Sequence, residues 1–167
     1  MRFFPVALAL SAALAVTAST GQGAPPVPLD PVAAGLLAEG RAALAGGNAD
    51  AALDAFEAAL AVQPGHVAIY LNLAEASRKQ GMQGKALHYY RQALKLEPEN
   101  VYAVVGEGET LVEKGAVEKA KRNLALAQKL CGSCAPAKQL AAAIQRGPAP
   151  RVVTAKDVAT KPVVSEN

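Results

Sequence analysis

Residues 67–100 read VAIYLNLAEASRKQGMQGKALHYYRQALKLEPEN, and their landmarks return at a fixed offset along the chain. Pro64 and Pro98 lie 34 residues apart, and Gly47, Gly81 and Gly115 are spaced by the same interval. Ala52, Ala86 and Ala120 form a further set, as do Ala59, Ala93 and Ala127. Phe56, Tyr90 and Leu124 share a large apolar position, and Gly40, Ala74 and Gly108 a small one. Register kept over three copies in so many positions marks an internal repeat, and a period in this range marks a stacked-repeat architecture.

Each unit reads as two amphipathic helices. Alanine and leucine, the strongest helix formers, dominate between residues 31 and 146, and valine and isoleucine do not gather into the alternating runs that strands need. The shared glycine marks the tight turn between the two helices, where a left-handed backbone carries no Cβ penalty. The small residue in the first helix and the alanine in the second let the axes approach, and the large apolar residue fills the gap between them. One such pair cannot bury its apolar face alone, so neighbours must stack.

The stretch Leu71-Asn72-Leu73-Ala74, with Gly81, Ala86, Tyr90, Ala93 and Pro98, resembles the tetratricopeptide repeat. Aligned on the prolines, the repeats span 33–66, 67–100 and 101–134. Ala137, Leu140, Ala141 and Ile144 then place an apolar stripe on one more helix, over 135–146, suited to capping the end of the stack. The expected fold is therefore all-α, an α-solenoid of three helix-turn-helix units and a capping helix. Asp30-Pro31 is a strong start for the first helix, and Asn100 a cap for the first helix of repeat three. Glu39 and Glu107 stand where the family usually has leucine, and Gly132 where repeat three should carry proline. Gly106, inside a helix, has no explanation in the sequence beyond making room on the surface it faces.

The two ends read differently from the repeats. Arg2 precedes an almost wholly apolar run from Phe3 to Val16, and Val16-Thr17-Ala18 offers small residues at a cleavage position, the layout of a secretory signal over 1–18. The apolar run is about fourteen residues long, short of the ~18–20 that span a bilayer, so no membrane insertion is expected after cleavage. Residues 19–30 and 147–167 carry Pro25, Pro26, Pro28, Pro148, Pro150 and Pro162 without an amphipathic period. They read as a flexible lead-in and a disordered tail. The expected location is the bacterial periplasm or beyond. No asparagine has the N-x-Ser/Thr spacing of a glycosylation acceptor, which agrees with that origin.

Composition narrows the function classes. Without Arg2 the chain keeps 16 basic against 14 acidic residues, the basic residues do not cluster, and aromatics make up only 4%. The footprint of a nucleic-acid binder is missing. His66 falls in a turn between repeats and His88 on a polar helix face. With no glycine-rich phosphate loop and carboxylates spread along helix surfaces, no catalytic set, metal site or cofactor is expected.

Cys131-Gly132-Ser133-Cys134 is the one motif with chemical content. A thioredoxin-like pair should follow a strand, a structural zinc needs two more ligands, and c-type haem attachment needs histidine where Ala135 stands. The expected reading is a small-ring disulfide in the turn before the capping helix, sensible after export to an oxidising compartment. Thiol exchange, in redox or cytochrome maturation, is the alternative that the same pair leaves open.

The family resemblance implies a concave groove lined by the first helix of each repeat, which holds a peptide or helix of a protein partner. Carried over by repeat position, the groove should present Leu37 and Arg41 from repeat one. Repeat two would contribute Leu71, Asn72, Glu75 and Arg78, and repeat three Tyr102, Val105 and Glu109. Some family members grip a terminal carboxylate with lysine, arginine and asparagine, and of such a set only Asn72 has a counterpart here. The expected function is a non-enzymatic adaptor, with self-assembly through the groove or an end face as a further alternative.

Overall fold

The structure is a computed structural model that describes residues 28–148. The signal sequence expected over 1–18, most of the lead-in and nearly all of the expected tail lie outside the described residues. Among the described residues there are seven helices and no strand: α1 (Pro31–Ala45), α2 (Ala49–Val62), α3 (Val67–Lys79), α4 (Gln83–Leu96), α5 (Val101–Glu113), α6 (Val117–Cys131) and α7 (Ala135–Arg146). None is long and apolar enough to cross a membrane.

The helix boundaries follow local chemistry. The Asp30 carboxylate accepts from the Val32 and Ala33 amides at 2.8 and 3.4 Å, with Pro31 in the first turn. The Asn100 side chain accepts from Ala103 N–H at 3.0 Å, and Asn48 caps α2 in the same way through Ala51 N–H at 3.1 Å. Within each repeat the first helix ends in one recurring turn. Gly47, Gly81 and Gly115 have φ of 81°, 72° and 78°, and the next residue's amide donates five residues back, to Ala43, Ser77 and Leu111. That is the Schellman closure, which satisfies carbonyls the helix end leaves open and needs a residue at ease with positive φ. The lead-in is fixed at its last residues. Gln63, at the end of α2, accepts from Asp30 N–H at 2.8 Å and donates to Pro28 C=O at 3.0 Å.

Packing runs from neighbour to neighbour. Each helix contacts the next in sequence, and α1 touches α3, α3 touches α5 and α5 touches α7, whereas the backbones of α2, α4 and α6 stay apart, α2 and α4 meeting through the Lys85–Glu57 ion pair at 2.8 Å. The row α1-α3-α5-α7 converges and the row α2-α4-α6 splays, so the stack curves with its concave side on the first row. This is the solenoid geometry, in which each unit is supported by its neighbours.

The small-to-large pairing is met differently in each repeat. In repeat one the Phe56 ring lies fully buried against Gly40, where a Cβ would overlap it. In repeat two Tyr90 clusters with Ala74 and Ala86 and also covers Gly106 of repeat three. Gly106 thus has a specific partner, the Tyr90 ring of the preceding repeat, so the room it makes is packing space and not free surface. In repeat three Gly108 receives Leu140 of α7 and the Cβ of Asn123, and Leu124 is only partly buried. Glu107 does not mimic the family's leucine. It accepts from Arg91 Nε at 2.8 Å and Asn123 Nδ2 at 3.1 Å, and so ties α5 to α4 and α6.

Ser77 on α3 is fully buried, and its hydroxyl has no hydrogen-bond partner. An unmatched buried hydroxyl opposes folding, and serine is a poorer helix former than alanine. Ser77→Ala is expected to stabilise the fold by about 1 kcal/mol. Thermal unfolding followed by circular dichroism checks this, and a lowered midpoint would contradict it.

Candidate partner-binding cleft

The concave row brings six of the nine expected groove residues into one cleft of about 290 Å³. Leu71, Glu75 and Arg78 come from α3, and Tyr102, Val105 and Glu109 from α5. Their common placement follows from helical spacing, because residues three and four apart on a helix share a face. Tyr90 forms part of the floor, and Pro136 and Gln139 of α7 make the far wall. Towards the end of the stack the cleft continues into a second hollow of about 250 Å³, which adds Glu113 and Arg146.

The other three residues fall elsewhere. Leu37 does not line a groove. It is 1% exposed and belongs to the repeat-one core with Phe56, Ile69 and Leu73. The expectation for this residue is corrected: the repeat position that half opens at Leu71 is closed at Leu37 by the packing of α3 on α1. Arg41 and Asn72 pair with each other outside the cleft. Arg41 Nε donates to Asn72 Oδ1 at 3.1 Å, and Asn72 Nδ2 donates to Ala68 C=O at 2.6 Å.

At the centre of the cleft Arg78 is held by three carboxylates. Its Nε and Nη2 donate to Glu75 at 3.0 and 2.9 Å, its Nη1 donates to Glu113 at 2.8 Å, and Glu109 lies 3.3 Å from Nη2. Planar guanidinium geometry suits such forked contacts. Burial alone would depress the Arg78 pKa, but the Glu75 carboxylate and the bonds to Glu75 and Glu113 outweigh it and hold the pKa above its ordinary value. Glu109 is pushed up, mainly by burial and further by Glu75 and Glu113, against the pull of Arg78. Tyr90 is pushed up by burial and by Glu75, to which its hydroxyl donates at 3.3 Å.

Sequence reasoning missed Glu113, Tyr90, Gln139 and Arg146 as parts of this site. Glu113 was within reach, since it lies four residues after Glu109 and so on the same helical face. Tyr90 was read only as apolar filler, although its hydroxyl reaches the cleft. Gln139 and Arg146 depend on how α7 docks, which no repeat pattern encodes.

Cys131 and Cys134 stand at disulfide distance across the turn between α6 and α7, with Cα atoms 5.7 Å apart. Both pack partly against the repeat-three core, and Cys134 occupies the N-cap position of α7. A disulfide there would fix the entry of the helix that walls the cleft. Replacing both by serine is expected to lower stability by roughly 2 kcal/mol, the loop-entropy value for a small ring. Urea unfolding of the variant and of the reduced native chain should show the same loss. An unchanged midpoint in both would contradict a structural role. Of the two histidines, His88 is exposed, while His66 is half-buried with its Nδ1 enclosed and unpartnered. Neither lies in the cleft, and no group of three or more histidine, cysteine, aspartate or glutamate side chains is placed to hold a metal ion among the described residues.

Fold and cleft together define a short α-solenoid with a walled concave face. The sequence profile described as tetratricopeptide repeat matches residues 37–82 and 84–128, and a second profile of the same description matches 67–100. The chain belongs to the tetratricopeptide-repeat family. No curated protein matches it. Among solved structures it is similar to the Sgt2 TPR domain from Aspergillus fumigatus, with a TM-score of 0.65 and 22% identity over 78% of this chain and 93% of that one. It is also similar to the Arabidopsis OM64 TPR domain, with a TM-score of 0.64 and 18% identity over 69% of this chain and 95% of that one. The first TPR of Spaghetti (RPAP3), bound to the HSP90 peptide SRMEEVD, gives a TM-score of 0.64 and 19% identity over 69% of this chain and 91% of that one. At these identities the likeness is one of fold.

Proposed function

We propose that this protein is an interaction scaffold that holds an extended peptide or a helix of a protein partner in the α3-α5-α7 cleft, in the bacterial periplasm. The observation that carries the reading is the cleft itself. It is a concave surface where half-exposed Leu71 and exposed Tyr102 stand beside hydrogen-bonding groups, the mixture that peptide grooves use for anchoring and orientation. The peptide-bound RPAP3 domain, similar in fold, supports it. The polar groups at the centre favour binding over catalysis, because the Arg78 guanidinium and its carboxylates are already engaged with one another. The periplasmic location rests on the signal-like residues 1–18.

A photo-crosslinking residue placed at Tyr102 is expected to capture a discrete partner in the intact cell. The same residue at Leu126, exposed on the splayed α6 side, should capture none. Equal labelling from both positions, or from Leu126 alone, would defeat the groove reading. A reporter active only outside the cytoplasm, fused after residue 30, tests the location.

A further inference from the structure

Resting on that reading, the charge layout of the cleft specifies its ligand more closely. Three carboxylates, Glu75, Glu109 and Glu113, surround the single guanidinium of Arg78 within 3.3 Å, a local excess of two negative charges. Arg146 lines the adjoining hollow and makes no ion pair among the described residues, so the lined surface as a whole keeps an excess of one. Arg78 cannot serve as a free anchor for an incoming carboxylate, because three of its N–H groups already donate to Glu75 and Glu113. The carboxylates retain capacity. The side chains of Glu75 and Glu113 are 33% and 34% exposed, and each oxygen can accept further bonds. Tyr102 is 69% exposed and lines the same cleft as Glu75, and an exposed ring and a carboxylate in one cleft both attract a cation, whereas Glu113 lies about 16 Å further along α5 in the adjoining hollow. Val105 and Leu71 supply apolar contact on either side.

We infer that the cleft selects a peptide segment carrying a lysine or arginine flanked by apolar residues, with the cation set between Tyr102 and the Glu75 carboxylate. An acidic or carboxylate-terminated peptide would meet like charge there, and juxtaposed like charges strongly disfavour association.

The test is selection of a randomised, amide-capped octapeptide pool on the immobilised full chain, followed by sequencing of the retained peptides. The expected result is enrichment of lysine and arginine over aspartate and glutamate by about tenfold or more, equivalent to ~1.4 kcal/mol of preference, and lost at high salt. A selected cationic peptide should then bind Tyr102→Ala and Glu75→Gln chains about tenfold more weakly, with their circular dichroism unchanged. Enrichment of acidic or purely apolar peptides overturns the inference and leaves the scaffold reading standing. So does undiminished binding of the cationic peptide to both variants. If nothing is retained until Arg151→Glu is introduced, at a basic residue that follows the described residues, the occupant is the chain's own carboxy-terminal segment, and the inference that a partner's peptide fills the cleft falls. If nothing is retained in either case, the peptide-groove reading falls with it.

Discussion

Arg78→Met is expected to destabilise the protein by about 3 kcal/mol at neutral pH, the low end of the range for stripping a largely buried charge of its partner. Methionine keeps the length and apolar stem of the side chain, so the loss isolates the guanidinium. What remains are three carboxylates drawn together by a cation no longer present, with Glu109 only 9% exposed. The effect carries a pH signature. In the native fold burial already raises the Glu109 pKa, and removing Arg78 takes away the one nearby group that opposes that rise most. A carboxyl whose folded pKa exceeds its unfolded value weakens the fold above the folded pKa, and the penalty fades as pH falls towards the unfolded one. The variant's deficit should therefore be complete at pH 7 and shrink on acidification as Glu109 takes up its proton first. Urea unfolding at neutral and mildly acidic pH measures both. Glu109→Gln, which leaves Arg78 with Glu75 and Glu113, should lose about 1 kcal/mol or less. A deficit of Arg78→Met that is small, or constant with pH, would mean the cluster is a solvated surface network of little energetic consequence.

Sequence alone revealed what depends on periodicity and concealed what depends on contact across units. The spacing of Gly47, Gly81 and Gly115 foretold three helix-ending turns of one geometry, and all three have positive φ. The α7 stripe foretold a capping helix, and Leu140 is fully buried against the repeat-three core. Gly106 stayed unexplained because the ring that requires it, that of Tyr90, belongs to the preceding repeat and reaches forward. Leu37 was misplaced for a related reason. A positional rule taken from the family treats every repeat alike, while burial at a given position depends on the side chains the next repeat lays over it. The Arg78 cluster lies between these cases. Glu75, Arg78 and Glu109 could be put on one surface from their register, but their mutual pairing could not. It joins residues 31 and 35 positions apart in the chain, through side-chain geometry that the pattern of apolar residues does not record.

Phe56→Ala is expected to give the largest loss, about 4 kcal/mol, as for a buried aromatic truncated in a close-packed core. The position cannot collapse to recover it. Phe56 is fully buried, and its ring lies against Gly40, which has no side chain to move into the void. A loss of this size approaches the total stability of a small domain, yet the damage should stay local. The repeat-one core of Leu37, Phe56, Ile69 and Leu73 is distinct from the cluster that joins α5, α6 and α7, and stacked repeats share stability only with their neighbours. Hydrogen exchange of Phe56→Ala should therefore show α1 and α2 losing protection while α5 to α7 keep theirs. The partner substitution makes the assignment specific. Gly40→Val alone places a Cβ inside the Phe56 ring volume and should lower stability by about 1–3 kcal/mol. In the Phe56→Ala background the same valine refills part of the void. The double variant should then be more stable than the two single losses predict when added, by about 1 kcal/mol or more. Strict additivity would show that the ring and the glycine are energetically independent. The close helix approach in repeat one would then rest on Ala33, Ala52 and Ala59 instead, all of them fully buried in the same core.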